Sequence, residues 1–109
     1  MATLFRNKVI KNVGTVPVEI TNIDPANRAT VIGLSLTNLT DSFVYVSVYI
    51  EDDSSVSGFY LKDTLLPANT SLRAVNQGEK LILAGSNRML VSSSLDDSVD
   101  VILSYVEIT

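Results

Sequence analysis

Two acidic clusters are the groupings in this 109-residue sequence whose residue types could run chemistry: Asp52 with Asp53, and Asp96 and Asp97 with Asp100. Carboxylates this close could hold Ca²⁺ if backbone oxygens completed a shell of about six to eight ligands. Neither cluster follows the EF-hand spacing, and acidic residues beside serines are ordinary turn formers, so no metal site is expected. A carboxylate pair can also hydrolyse glycosides, one group acting as acid and the other as base or nucleophile. No second signal of such a site accompanies these pairs. The sequence has no histidine and no cysteine, which removes the usual general base, the imidazole ligand and the thiol nucleophile. No serine can therefore be placed in a triad. Gly14, Gly33, Gly58, Gly78 and Gly85 stand singly and form no phosphate-binding loop. Asn38-Leu39-Thr40 and Asn69-Thr70-Ser71 match the glycosylation pattern, but without a secretory signal they read as turn residues. The expectation is a protein that is not an enzyme and needs no cofactor.

Length and charge narrow the remaining classes. A chain of 109 residues makes one domain with a core of its own. The net charge of −4 speaks against a nucleic-acid binder that neutralises phosphates. The charge is unevenly spread: residues 1–18 hold Arg6, Lys8 and Lys11 and no acid, leaving 5 basic against 12 acidic groups in the rest. Residues 1–20 thus read as a basic strand or extended arm on an acidic body of residues 21–109. Such an arm either contacts an acidic neighbour, another copy included, or is a solvated first strand. The first residues lack the apolar stretch of a signal peptide, and no run approaches the roughly 18 apolar residues of a membrane span. A soluble, cytoplasmically made protein without a membrane partner is expected. Mean hydropathy is nonetheless +0.29, with 46% hydrophobic and 18% charged residues. Some apolar surface of so small a domain should then be covered by a partner.

The elements that must position these residues read as strands throughout. Residues 4–14 open with Leu4, Arg6 and Lys8 alternating with Phe5 and Val9. Residues 16–20 form a short segment that Pro17 confines to a sheet edge. After a turn at 21–28, residues 29–39 alternate, with Ile32, Leu34 and Leu36 facing one way and Val31, Gly33, Ser35 and Thr37 the other. A polar turn at 38–42 leads to residues 43–50 (FVYVSVYI), and the two segments are expected to form a central hairpin. An acidic turn at 51–55 precedes residues 56–62, where Gly58 suggests a bulge. Leu66-Pro67 then enters a turn, and four strands follow: one around Leu72 and Ala74 that stops at Asn76, Gln77 and Gly78, then 81–84, 89–93 and 99–108. Turn signals about every eight to twelve residues and no helical period predict an all-β, single-domain antiparallel β-sandwich, jelly-roll-like.

Two strands are apolar on both faces. In residues 43–50, Val44, Val46, Val48 and Ile50 share one face, and Phe43, Tyr45, Ser47 and Tyr49 the other. Aromatic rings on an outward face either pack across to neighbouring strands or belong to a subunit interface. A stacking platform for single-stranded nucleic acid would need basic residues interleaved with those rings, and none is there. In residues 99–108, Val99, Val101, Leu103 and Tyr105 suit the core, while Ile102, Val106 and Ile108 lie opposite. Strands of this kind favour a homo-oligomer closed by rotational symmetry, a trimer being the first expectation.

The motifs of the chain also carry a resemblance. Leu66-Pro67 with its polar turn and Ser71-Leu72, residues 78–83 (GEKLIL), 87–93 (NRMLVSS), 97–104 (DSVDVILS) and the closing Glu107-Ile108 resemble a stretch shared by small virion structural proteins of tailed bacteriophages, especially marine and cyanobacterial ones. Residues 5–9 (FRNKV) and 31–39 (VIGLSLTNL) are similar to the same group. The likeness covers most of the chain, and its motifs are strand-and-turn patterns rather than chemistry. It implies a β domain made in the host cytoplasm that assembles onto a virion, whose partners are the major capsid protein or other virion proteins and copies of itself. The leading implication is a head decoration or cement protein. A neck, tail or baseplate accessory and a carbohydrate-binding adhesion module are the alternatives. On this reading Phe43, Tyr45, Tyr49, Ile102 and Val106 make the subunit contact, and Arg6, Lys8 and Lys11 dock on the capsid.

Overall fold

The computed structural model describes residues 2–75 and 80–109. Nine strands are present among them: β1 (Thr3–Val13), β2 (Val18–Asn22), β3 (Arg28–Asn38), β4 (Val44–Glu51), β5 (Ser57–Leu66), β6 (Ser71–Val75), β7 (Leu81–Leu83), β8 (Arg88–Ser93) and β9 (Val99–Ile108). One sheet runs β1-β9-β3-β6, with β7 also on β3, and the other runs β2-β8-β4-β5. All pairings are antiparallel. The chain thus passes back and forth between two sheets, as in a jelly roll. The result is a slab of 46 × 28 × 21 Å.

Alternation dictates the layering. Residues two apart share a face of a strand, so each strand turns one apolar set inward. Val44, Val46 and Val48 of β4 meet Val99, Val101, Leu103 and Tyr105 of β9 in one buried core with Leu34, Leu36, Met89 and Val91. β9 lies between β1 and β3 and is the central strand of its sheet. β1 runs beside it from Thr3↔Ile108 to Val13↔Val99. Pro17 stands just before β2, an edge strand, where its missing N–H leaves no gap in a ladder.

Three local expectations are corrected. β3 and β4 do not form a hairpin: they belong to different sheets, and residues 39–43 carry the chain across the slab. Ile32 does not join Leu34 and Leu36 in the core. The pairing with β9 slips between Val31 and Gly33, which turns Val31 inward and leaves Ile32 exposed. Gly58 pairs regularly with Ile50, whereas the irregularities of β5 fall among residues 60–63, where Asp63 takes φ 45°. The expected strand end at Asn76, Gln77 and Gly78 lies outside the described residues.

Candidate interaction surfaces

Three of the five clustered acidic residues, Asp52, Asp96 and Asp100, accept hydrogen bonds from the backbone. Asp52 Oδ1 accepts hydrogen bonds from the backbone N–H of Val56 at 3.0 Å and from the N–H and hydroxyl of Ser54, both at 2.9 Å. The Val56 N–H, followed by the Ser54 contacts, holds the Asp52 carboxyl below the ordinary carboxylate value. Asp96 Oδ1 accepts the N–H of Thr15 at 3.0 Å and its hydroxyl at 2.8 Å, and these donors lower its pKa in the same way. Asp100 accepts the N–H of Asn12 at 3.0 Å. A general acid needs a raised pKa, the opposite of what Asp52 and Asp96 have. The two acidic turns also sit at opposite ends of β4, since Tyr45 pairs with Ser94 and Glu51 with Arg88. That separation is roughly 20 Å, against about 5–9.5 Å for the carboxylates of a glycosidase. Among the described residues, no three His, Cys, Asp or Glu side chains converge as a metal site would require.

The asparagines of the glycosylation-like patterns are structural. Asn38 is buried, its Nδ2 donates to the carbonyls of Ser42, Leu66 and Pro67, and its Oδ1 accepts the N–H of Thr40 at 2.9 Å. One side chain thereby ties the crossing loop to the end of β5. Asn69 takes φ 53° in the next turn and donates to Asp41 at 3.3 Å.

The residues expected at a subunit contact fall on opposite faces of the slab. Phe43, Tyr45 and Tyr49 lie outside the β2-β8-β4-β5 sheet, whereas Ile102 and Val106 lie outside the β1-β9-β3-β6 sheet. Phe43 and Tyr45 meet edge to face, centroids 5.6 Å apart and planes at 81°. Tyr49 leans on Phe59 at 5.6 Å, and Lys62 Nζ caps Phe59 at 5.5 Å. Tyr45 is 44% exposed and Phe43 more so. Charged groups share this face: Arg88 bridges Glu19 at 2.6 Å and Glu51 at 2.8 Å, and the bond to Glu19 is the main cause raising the pKa of the guanidinium.

Of the expected docking cations, Arg6 pairs within its own domain, Nε to Glu107 Oε1 at 2.7 Å. Arg6 and Lys8 line a polar notch of about 420 Å³ with Thr21, Asn22, Tyr105 and Glu107. Lys11 is exposed near the end of β1.

The opposite face holds residues that the reading of the sequence did not select. Register places Phe5, Val106, Thr30 and Ile82 in one row across β1, β9, β3 and β7. A second row holds Val9, Ile102, Ser35 and Arg73. Ile32 projects between them at the bulge. Phe5 is 80% and Ile102 48% exposed, and Val9, Ile32 and Ile82 are exposed too. The alternation of Phe5 and Val9 with Arg6 and Lys8 was the available signal, but it does not reveal which side of the strand faces the core.

No protein-family model matches the sequence, and no curated protein matches it. Solved structures share its fold. A chain of the T13 particle of infectious bursal disease virus is 12% identical with a TM-score of 0.55, over 96% of this chain and 30% of that one. This chain therefore spans about a third of that protein's length. A chain from the capsid of the Helicobacter pylori bacteriophage KHP30 is 8% identical with a TM-score of 0.55, over 100% of this chain and 94% of that one. A subunit of the Bacillus endospore appendages, described as disulfide-linked pili, is 8% identical with a TM-score of 0.55, over 98% and 88% of the two chains. At such identities the shared property is the fold.

Proposed function

We propose that this chain is a structural protein of a virus particle, and that its place is on the head as a decoration or cement protein bound to the major capsid protein. The observation that carries this reading is the fold match to the KHP30 capsid chain, which takes in the whole of this chain and nearly all of that one. Asp52 and Asp96 of this chain tie loops, and its outer sheet faces carry apolar side chains. The motif resemblance to small virion proteins of tailed bacteriophages supports the same reading independently. The pilus-type alternative among the neighbours is linked by disulfides, and this sequence has no cysteine to make them.

Cement action follows from repetition. Burying apolar area stabilises a contact by about 25 cal/mol per Å², so weak contacts repeated over a lattice resist expansion without any single strong bond. Self-association is part of the reading, with the trimer as the expectation from sequence and a two-fold contact argued below. Arg6, Lys8 and Lys11 would face the capsid partner, Arg6 by exchanging Glu107 for a partner carboxylate. Quantitative mass spectrometry of purified particles, referenced to the major capsid protein, tests the assignment. A copy number comparable with that of the capsid protein is expected. A small fraction of it would move the chain to the neck, tail or baseplate, and its absence from particles would overturn the reading.

A further inference from the structure

We infer that the outer face of the β1-β9-β3-β6 sheet binds the same face of a second copy, in a two-fold contact centred on Ser104 of β9. This deepens the assembly reading, and it is tested on the isolated chain, so its failure and the failure of the virion assignment are separate results.

The choice of face rests on where the charges are. The core of a protein contact is poor in charged groups, which gather at its rim. On this face the exposed apolar residues Phe5, Val9, Ile32, Ile82 and Ile102, with the partly exposed Val106, lie in and between two rows that flank the small polar row of Asn7, Ser104 and Gly33. Among the described residues the charges lie around these rows: Arg28 at one end beside Ile108, Asp100 at the other beside Thr37, Arg73 at the side in the Ile102 row, and the exposed Lys11 and Lys80 near the end of β1 and just before β7. The opposite face mixes its aromatic rings with Glu19, Glu51, Lys62 and Arg88.

The choice of occupant rests on self-complementarity. A two-fold contact brings a surface onto itself, so every projection needs a matching recess on the same surface. Consider an axis in the contact plane that crosses the strands at Ser104. It lays the Phe5, Val106 and Ile82 row of one copy on the Val9, Ile102 and Arg73 row of the other. Between β9, β3 and β6 lies a depression of about 180 Å³ lined by Gly33, Ser35, Arg73, Ile102 and Ser104. The axis seats Ile32 and Ile82 of the partner over it. Gly33 and Ser104 keep this middle row low, since a Cβ on Gly33 would meet only Ser104 Cβ at 3.8 Å. The same operation brings Arg28 of each copy toward Asp100 of the other.

The area is sufficient. Four strands about 4.8 Å apart and about ten residues long give a face of roughly 600 Å². Two such faces reach the range of about 1,200 Å² at which specific contacts become stable.

Sedimentation equilibrium and light scattering on the purified full chain test the proposal. A dimer is expected, converted to monomer by Ile102→Glu and unaffected by Tyr45→Glu on the opposite face, with β-type circular dichroism retained in both. The absence of cysteine allows a second test that does not depend on tolerance of a buried charge. Ser104→Cys, next to the axis, should give a disulfide-linked dimer on oxidation, and Tyr45→Cys should not. A monomeric wild-type chain, a trimer, or a dimer that survives Ile102→Glu while Ser104→Cys fails to cross-link would overturn it. Binding of a different virion protein to this face with no self-association would do so as well.

Discussion

With 1% of its surface exposed, Asn38 supplies the polar link between the crossing loop and the end of β5. Asn38→Ala would leave the buried Leu66 carbonyl without that donor, and a buried polar group stripped of its partner costs about 1–3 kcal/mol. A loss of about 1–3 kcal/mol in urea unfolding is therefore expected, with Asn69→Ala, an exposed turn residue, changing much less. Asp96 makes a prediction of sign. Its carboxyl is lowered in the folded chain by the Thr15 donors, so its contribution is present above the ordinary carboxylate value and disappears as the pH falls through the lowered one. Asp96→Asn should lower the melting temperature at neutral pH, and the difference from wild type should shrink as the pH falls below the ordinary carboxylate value. A difference that persists in acid would mean that the carboxylate charge is not what holds Thr15.

At the scale of elements, β9 is the strand on which the fold depends. It pairs on both sides and buries Val99, Val101, Leu103 and Tyr105. Leu103→Ala should cost about 2–5 kcal/mol by the cavity it leaves, measured by the same unfolding. Gly85 marks a different constraint: a Cβ there would collide with the carbonyl of Pro25, where the turn before β8 meets the turn before β3. Gly85→Ala should lower the midpoint of thermal unfolding, whereas Gly58→Ala, with open space around it, should not. The strands themselves were legible, because an alternating pattern such as residues 43–50 leaves little choice of conformation. Their assignment to sheets was not. The 38–42 turn has the composition of a hairpin turn, and the buried contacts of Asn38 that carry it across the slab are long-range. Ile32 was misplaced for a related reason, since a bulge shifts the alternation by one residue and Gly33 is its sole local mark. Periodicity reports that Tyr45 and Ile102 face outward, but not that they do so from opposite sheets, nor that Phe5, Val9 and Ile82 complete the face of Ile102.

At the scale of the whole molecule, the account is of a slab whose loops are fixed by short polar bonds and whose two broad faces differ in kind. One carries the ion pairs of Arg88 with Glu19 and Glu51 at one end, and the other carries two rows with exposed apolar residues and charge around them. Such an asymmetry suits a component that meets its own kind on one side and a different surface elsewhere. The most direct measurement of the proposed virion role is an electron cryomicroscopy reconstruction of intact particles purified with this chain. Jelly-roll density repeated over the outer surface of the head is expected, with Phe5, Ile82 and Ile102 buried between neighbouring copies. Density confined to the neck or tail, or jelly rolls on the head with that face open to solvent, would contradict it.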